Sequence, residues 1–469
     1  MSQEEEIQLV IEEAPESNSS PYGKSQCSSC QLGLNTCLLQ HPRKSSHQYK
    51  VRSTGETLLS LSACSPKSPE KAAIAARKLS ASPRANYVLG EALSKLAEAR
   101  RSNALLEQAV TTFQKLTEMP GVPQALVLKA ANRTVENLRF LGQMGRAVQL
   151  QTKLVARLPD VLSLQNQLAV SYLMMGQGKR AKTILKQVLK ERPEDGFALV
   201  HLGFILKTED QEYKEAISLL QKGLATREPG VVDGRFYFHL GDALARTGHN
   251  SQAMEVYQEG VEQGVFNSVY QRSLYNVQGL KAQPWWDPMT TTYRESFRLL
   301  ESRWKEIRDE ALALLSQDQS RFRPETEGLQ DTGDWKQLEL FARGMKLTKN
   351  CQKAPKTCTL IEFMPDAARC KRGQVKFSLM NPGTHVWAHT GPTNCRLRAH
   401  LGLVVPPGEE IALRVANTTR HWQEGKVLLF DDSFEHEVWH HGPSMRLVLI
   451  VDFWHPELTA AQKRTLSPI

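Results

Sequence analysis

Hydrophobic and polar positions along the chain follow two periods. From about residue 85 to 282, apolar side chains recur every three or four positions, as on one face of a helix, and the pattern repeats. Units begin at Leu168 ("LAVSYLMMGQGKRAKTILKQVLKERP"), Leu199 ("LVHLGFILKTEDQEYKEAISLLQKGL") and Phe238 ("FHLGDALARTGHNSQAMEVYQEG"). Ala147, Ala181, Ala216 and Ala253 stand 34, 35 and 37 residues apart, and Pro159 and Pro193 repeat the 34-residue step. "QPWWDP" at 283–288 interrupts the pattern; a helical stretch spans about 291–316, and the polar segment "SRFRPETEGLQDTGDW" follows. After Cys358 the texture changes. "TLIEFM", "QVKFSLM", "CRLRAHLGLVV", "EIALRVA", "KVLLF" and "MRLVLIVDFW", separated by Gly, Pro, Asn and Asp turns, predict short strands of an all-β sandwich or barrel.

A period near 34, with small residues where two helices cross and a proline closing the second helix, resembles tetratricopeptide repeats. Such a helix pair cannot bury its apolar face alone, so stacking supplies the core and leaves a concave groove. That groove suits a scaffold or the holding of a protein substrate. The expected organisation is α + β and multidomain: a disordered Ser-rich tail over 1–84, a helical repeat solenoid over 85–282, and a C-terminal β domain over 283–469.

Composition adjusts this picture in two places. With 469 residues, 41% hydrophobic and 23% charged, the chain is a globular protein with substantial cores. Its net charge of +9 is not concentrated. Residues 1–16 hold six acids and no base, residues 17–84 hold ten Lys/Arg against two acids, and the remaining excess is spread thinly. No dense basic run is interleaved with aromatics, which argues against nucleic acid. No stretch approaches the roughly 18 apolar residues of a membrane span, and "MSQEEEIQLVIEEAPES" lacks the basic start and apolar core of a signal peptide. Taken alone, these features describe a cytoplasmic chain.

The cysteines form two groups. Cys27, Cys30 and Cys37, followed by His41 and His47, contain one CxxC; a zinc site would need a second ligand pair at regular spacing, so a polar tail is the preferred reading. In "CQKAPKTC" the proline can turn the chain back and allow a Cys351–Cys358 bridge, which would suit an oxidising compartment. Free thiols are the alternative.

Strand alternation selects candidate chemistry. Ser378 and Met380 share one face of their strand, Arg396, Arg398 and His400 share one face of the next, and Arg446 lies with Val448 and Ile450. A basic residue on an apolar face is costly unless it meets an anion. Arg398 and Arg446 pointing into one barrel would therefore bind a dicarboxylate, with Ser378 as an extra donor. His389 and His436 lie beside strands, and imidazole suits Fe(II). The usual two-histidine, one-carboxylate triad would place an acid two residues after the first histidine, where this chain has Gly391.

"HVWAHTGPTNCRLRAHLGL", "LLFDDSFEHEVW" and "VDFWHPEL" together resemble aspartyl/asparaginyl β-hydroxylases, and the likeness extends through "APKTCTL", "GDW" and "PWW" over roughly 85–469. The resemblance implies an oxygenase domain at 283–469 with a double-stranded β-helix (jelly-roll) core at about 358–455. It implies Fe(II), 2-oxoglutarate and O2 as cofactor and cosubstrates. It also implies hydroxylation at Cβ of Asp or Asn in epidermal-growth-factor-like (EGF-like) domains, that is, a peptide-aspartate β-dioxygenase. In that family two histidines hold iron without a carboxylate, so Gly391 fits. His389 and His436 match the iron ligands; Ser378, Arg398, His400, Arg446 and Trp335 match 2-oxoglutarate contacts; Cys351 and Cys358 match a disulfide; Glu327 matches a substrate contact. The family pattern has an acid at Thr326 and an arginine at Gln330, which bears on substrate preference. Members are anchored in the endoplasmic reticulum membrane by an N-terminal span not seen here; the bridge and the implied substrates favour the lumen. The alternatives are an inactive scaffold of repeats and β-barrel, and an oxygenase of this fold acting on another protein.

Overall fold

The structure, a computed structural model, describes residues 68–469 and three short strands, Leu9–Val10, Gln48–Val51 and Leu59–Ser62. Cys27, Cys30, Cys37, His41 and His47 lie outside the described residues. The described chain forms two compact units, one ending at Asp210 and one beginning at Gln211.

The first unit is helical: α1 (Ser68–Arg77), α2 (Pro83–Arg100), α3 (Asn103–Glu118), α4 (Gln124–Phe140), α5 (Met144–Arg157), α6 (Leu162–Met174), α7 (Gly178–Glu191) and α8 (Gly196–Ile205). Each packs on the next. Side-chain oxygens of Ser82, Ser102 and Asp195 cap α2, α3 and α8 by accepting first-turn amide hydrogens that would otherwise lack partners. The periodic Ala147 and Ala181 are fully buried. α1 lies within the segment expected to be tail. Its "SPEKAAIAAR" has a Pro in the first turn and alanines of high helix propensity, but only ten residues, too few to stand out from the Ser-rich sequence before it.

The second unit starts with α9 (Tyr213–Ala225), α10 (Gly234–Arg246) and α11 (Asn250–Glu262), continuing the repeat pattern. At the α10–α11 crossing a Cβ on Gly241 would come within 2.1 Å of the Tyr257 ring, so only glycine permits this approach. Residues 270–277 then run beneath the loops of the β region: Gln271 donates to Ser433 Oγ (2.8 Å), Arg272 pairs with Glu435 (2.8 Å), and Tyr275 N–H donates to the Pro392 carbonyl (2.9 Å).

Two antiparallel sheets follow. The strands are β1 (Trp285–Trp286), β2 (Arg323–Pro324), β3 (Gln330–Thr332), β4 (Trp335–Ala342), β5 (Met345–Lys346), β6 (Gln374–Met380), β7 (Thr384–His389), β8 (Arg396–Val404), β9 (Ile411–Val415), β10 (Thr418–Arg420), β11 (Val427–Phe430), β12 (His436–His440) and β13 (Arg446–Trp454). The larger sheet has order β1-β11-β8-β13-β6-β4-β2, with β5 paired to β4; the smaller has β10-β9-β12-β7-β3. One face of the larger sheet buries Phe377, Leu379, Leu397, Ala399, Leu449 and Phe453 against Phe297, Leu300, Ile307 and Leu314 of α12 (Arg294–Ser302) and α13 (Trp304–Gln317). Its other face shares a core with the smaller sheet, in which Met380, Val448 and Ile450 meet Val386, Leu413, Val415 and Val438. The alternation read from sequence is the alternation observed.

Two expectations change and one open choice closes. "TLIEFM" is no strand: its first four residues close a helix, Pro355–Glu362, because a short apolar run is ambiguous and Pro355 sets the first turn. The sheets also begin before residue 358, since β1, β3 and β4 belong to them. Their sequences, "WW", "QDT" and "WKQLELFA", are short or polar enough to pass for loop. The open choice at Cys351 and Cys358 resolves as a disulfide, Cα–Cα 5.6 Å. Among the described residues no helix is long and apolar enough to cross a membrane.

Gly241→Ala should destabilise the second unit by about 1–3 kcal/mol, since overpacking against Tyr257 outweighs the gain in helix propensity. Gly145→Ala in α5, with no atom within 4 Å, should not. Paired thermal melts check both.

Candidate active site

The site begins with an irregularity. β7 and β12 pair Val386 with Val438 and then His389 with His436, so three residues of β7 oppose two of β12. Strict alternation would put Val386 and His389 on opposite faces; the bulge brings His389 back to the face of His436. The two rings lie 4.1 Å apart between centroids. Each Nδ1–H donates to a carbonyl two residues upstream, His389 to Trp387 (2.6 Å) and His436 to Phe434 (2.9 Å). A carbonyl can only accept, so the proton sits on Nδ1 and each Nε2 keeps its lone pair. Burial holds both histidines below their ordinary pKa, His436 well below, with the neighbouring His389 adding to its shift. Two neutral imidazoles with bare Nε2 atoms, their other nitrogens fixed by backbone, fit a divalent transition metal.

The same interior holds an unbalanced cation, linked to the pair through His400, on which both Arg446 and His436 act. Arg446 is 2% exposed, and no carboxylate among the described residues pairs with it. Its guanidinium lies over the Trp422 ring (4.8 Å), Nη2 donates to Ser378 Oγ (3.0 Å), and Nε has no partner. Burial alone pushes its pKa down to about 9. Arginine keeps its proton at neutral pH, so the shift records a missing counter-anion. Ser378 Oγ also accepts from Trp335 Nε1 (2.9 Å). Both hydroxyl lone pairs are then used, which leaves its hydrogen to donate. His400 accepts from Trp422 Nε1 at Nδ1 (3.3 Å), so its proton is on Nε2, which is buried without a partner. Burial, then Arg446, hold His400 well below its usual pKa, and it is neutral. The unspent donors of Arg446, Ser378 and His400 fit a carboxylate.

Arg398 differs from this expectation. Rather than matching Arg446, it is neutralised by Asp452 (2.8 and 2.9 Å) and Asp432 (3.2 Å), while Arg396 holds Asp432 (2.6 Å). Asp432 is kept well below the usual carboxylate range by Arg396 and Arg398 in spite of burial. The same arrangement accounts for Gly391: a Cβ there would meet the Asp432 carboxylate at 2.5 Å. Sequence reasoning missed Asp432, Asp452 and Trp422. Register pairs Arg398 with Asp452 across β8 and β13, but Trp422 comes from a loop and carried no signal. Lys376, buried on β6, was missed as well; burial and Arg398 push its pKa down to about 8.

Glu327 is exposed, in a turn whose backbone N–H groups at Glu327, Leu329 and Gln330 donate to Glu325. Its charge raises the pKa of His389, which places the turn beside the histidine pair. Thr326 is exposed in that turn, and Gln330 is spent on backbone, accepting from Trp335 N–H (2.9 Å) and donating to the Gly333 carbonyl (2.8 Å).

Residues 301–456 match the family model described as aspartyl/asparaginyl β-hydroxylase. The matched stretch lies within the second unit. Tetratricopeptide repeat models match residues 167–195 and 234–263. The chain is 50% identical over 393 residues to the human aspartyl/asparaginyl β-hydroxylase, covering 84% of this chain and 52% of that protein. The mouse protein is equally similar, with 53% of its length covered. The chain thus spans about half the length of these relatives. Ornithine lipid ester-linked acyl 2-hydroxylase of Rhizobium tropici is 44% identical over 123 residues, 26% of this chain and 42% of that one.

If the β region holds Arg446 without an internal counter-anion, Arg446→Met should leave the unliganded protein as stable or up to about 4 kcal/mol more stable. A dicarboxylate such as 2-oxoglutarate should raise the melting temperature of the parent protein and not that of the variant. A loss of about 3–5 kcal/mol without ligand would instead mean that the protein itself pairs the cation.

Proposed function

We propose that the chain is a 2-oxoglutarate- and Fe(II)-dependent dioxygenase that hydroxylates Cβ of Asp or Asn in EGF-like domains of proteins. The observation that carries this reading is His400, whose pKa both Arg446 and His436 lower: it links the histidine pair, with two bare Nε2 atoms, to the unbalanced Arg446. The family match supports it. In this reading the two sheets form a double-stranded β-helix with the histidine pair at its open end.

His389 and His436 would hold iron, and Arg446, Ser378 and His400 the 2-oxoglutarate, with Trp335 fixing the Ser378 hydroxyl. When bound, Fe(II) and 2-oxoglutarate supply the activation of O2, with succinate and carbon dioxide as coproducts. The protein's part is orientation and protection. The Trp387 and Phe434 carbonyls set both imidazole tautomers before metal arrives. The Asp432 and Asp452 carboxylates hold Arg398 in place near the histidines, so that Arg446 is left as the cation for the cosubstrate. Glu327, exposed and near enough for its charge to act on His389, would meet the protein substrate. The Cys351–Cys358 bridge supports an oxidising compartment, so we assign the lumenal side of the endoplasmic reticulum as the place of action.

An assay with Fe(II), 2-oxoglutarate and an EGF-like peptide, reading peptide mass and succinate together, tests the proposal. One added oxygen that disappears in His389→Ala is the expected result. Succinate without peptide oxidation would point to another substrate, and neither product from iron-loaded protein would favour the scaffold reading. The pH dependence has a definite sign. Protons compete with metal for neutral imidazole, and both histidines lie below their ordinary pKa, so metal affinity should persist below about pH 6.5, where free imidazole is half protonated. A Mn(II) titration across pH checks this; half-loss at or above that value would contradict it.

A further inference from the structure

One residue of the repeat region reaches two chain segments that border the histidine pair. Arg246, in the last turn of α10, is tied to its own helix by Asp242 (3.0 Å, one turn back), and both side chains are largely buried. Its Nη2 donates to the Gly328 carbonyl (3.1 Å), and its guanidinium lies 5.5 Å from the centre of the Trp387 ring. These contacts grip two sides of one backbone link, since Trp387 N–H donates to the Leu329 carbonyl (2.9 Å). Gly328, at φ +70°, takes a left-handed conformation that L residues with side chains adopt at a cost.

Both contacts fall next to groups of the site. Glu327 immediately precedes Gly328. The Trp387 carbonyl fixes the Nδ1 proton of His389, and with it the direction of Nε2. A planar guanidinium can hold Asp242, the Gly328 carbonyl and the Trp387 face together; a lysine ammonium cannot reproduce that fork and stacking face.

We propose that Arg246 is a positioning residue through which repeat helix α10 sets the Glu327 turn and the His389 imidazole together. The mechanical link stands on the contacts alone; its consequence for hydroxylation rests on the function proposed above. The repeats thereby hold part of the reaction site in register as well as offering a surface to substrate.

Hydrogen exchange and steady-state kinetics on Arg246→Lys, with Asp242→Asn as a second route to loosening the same clamp, test the link. Losing a charge-assisted hydrogen bond should speed amide exchange by about tenfold or more in segments 325–332 and 384–389, with segment 446–454 unchanged. The peptide KM should rise by a similar factor while the 2-oxoglutarate KM stays as in the parent protein. Unchanged exchange in both segments would overturn the proposal, as would acceleration throughout the unit accompanied by a lower melting temperature. If exchange loosens as described while the parent protein hydroxylates nothing, the positioning link holds and the proposed activity fails. If the parent protein is active and neither exchange nor the peptide KM responds, the link fails and the activity stands.

Discussion

The β region is organised around a guanidinium that its own acids leave alone. Arg446 is fully enclosed between the sheets, and its protein contacts are a serine hydroxyl and the face of a tryptophan. Removing a cation from water with so little in return costs several kcal/mol. Its surroundings make sense as a device for keeping it ready. Trp335 orients Ser378, Ser378 receives Arg446, and Trp422 covers the guanidinium while fixing the His400 tautomer. Arg396 and Arg398, less deeply buried, are balanced by Asp432 and Asp452. One half of the interior is therefore closed as structure, and the other is left reactive toward an anion.

How much of this could be read from the chain depends on whether periodicity alone set the outcome. Helix spacing and the recurrence of Ala147, Ala181, Ala216 and Ala253 located the repeats, because small residues must recur where helices pack closely. Strand alternation placed Ser378, Arg398, His400 and Arg446 on the interior face, and that placement is observed. Alternation has no information about partners, so it treated Arg398 and Arg446 as equivalent; Asp432 and Asp452, from a loop and a neighbouring strand, separate them. Nor could it place His389 correctly, because the bulge after Val386 reverses the facing of the strand's last residues. "TLIEFM" failed for the opposite reason: a short apolar run carries too few positions to tell period two from period 3.6.

"HTGPTNCRLRAH" gathers cationic and ligating residues with no acid of its own, and the structure divides its labour. His389 faces His436, His400 offers a donor beside Arg446, and Arg396 and Arg398 take their acids from elsewhere in the chain. Gly391 belongs to the same design, because the Asp432 carboxylate occupies the space a side chain there would need.

The proposed function requires the histidine pair and Arg446 to form one site for a metal and a dicarboxylate. Isothermal titration of 2-oxoglutarate into the protein, with and without Mn(II) in place of Fe(II), addresses this most directly. One dicarboxylate should bind per chain, more tightly with metal present, with metal binding lost in His436→Ala and dicarboxylate binding lost in Arg446→Met. Folded protein that binds Mn(II) but takes up 2-oxoglutarate no better than a monocarboxylate, or that binds neither, would contradict it.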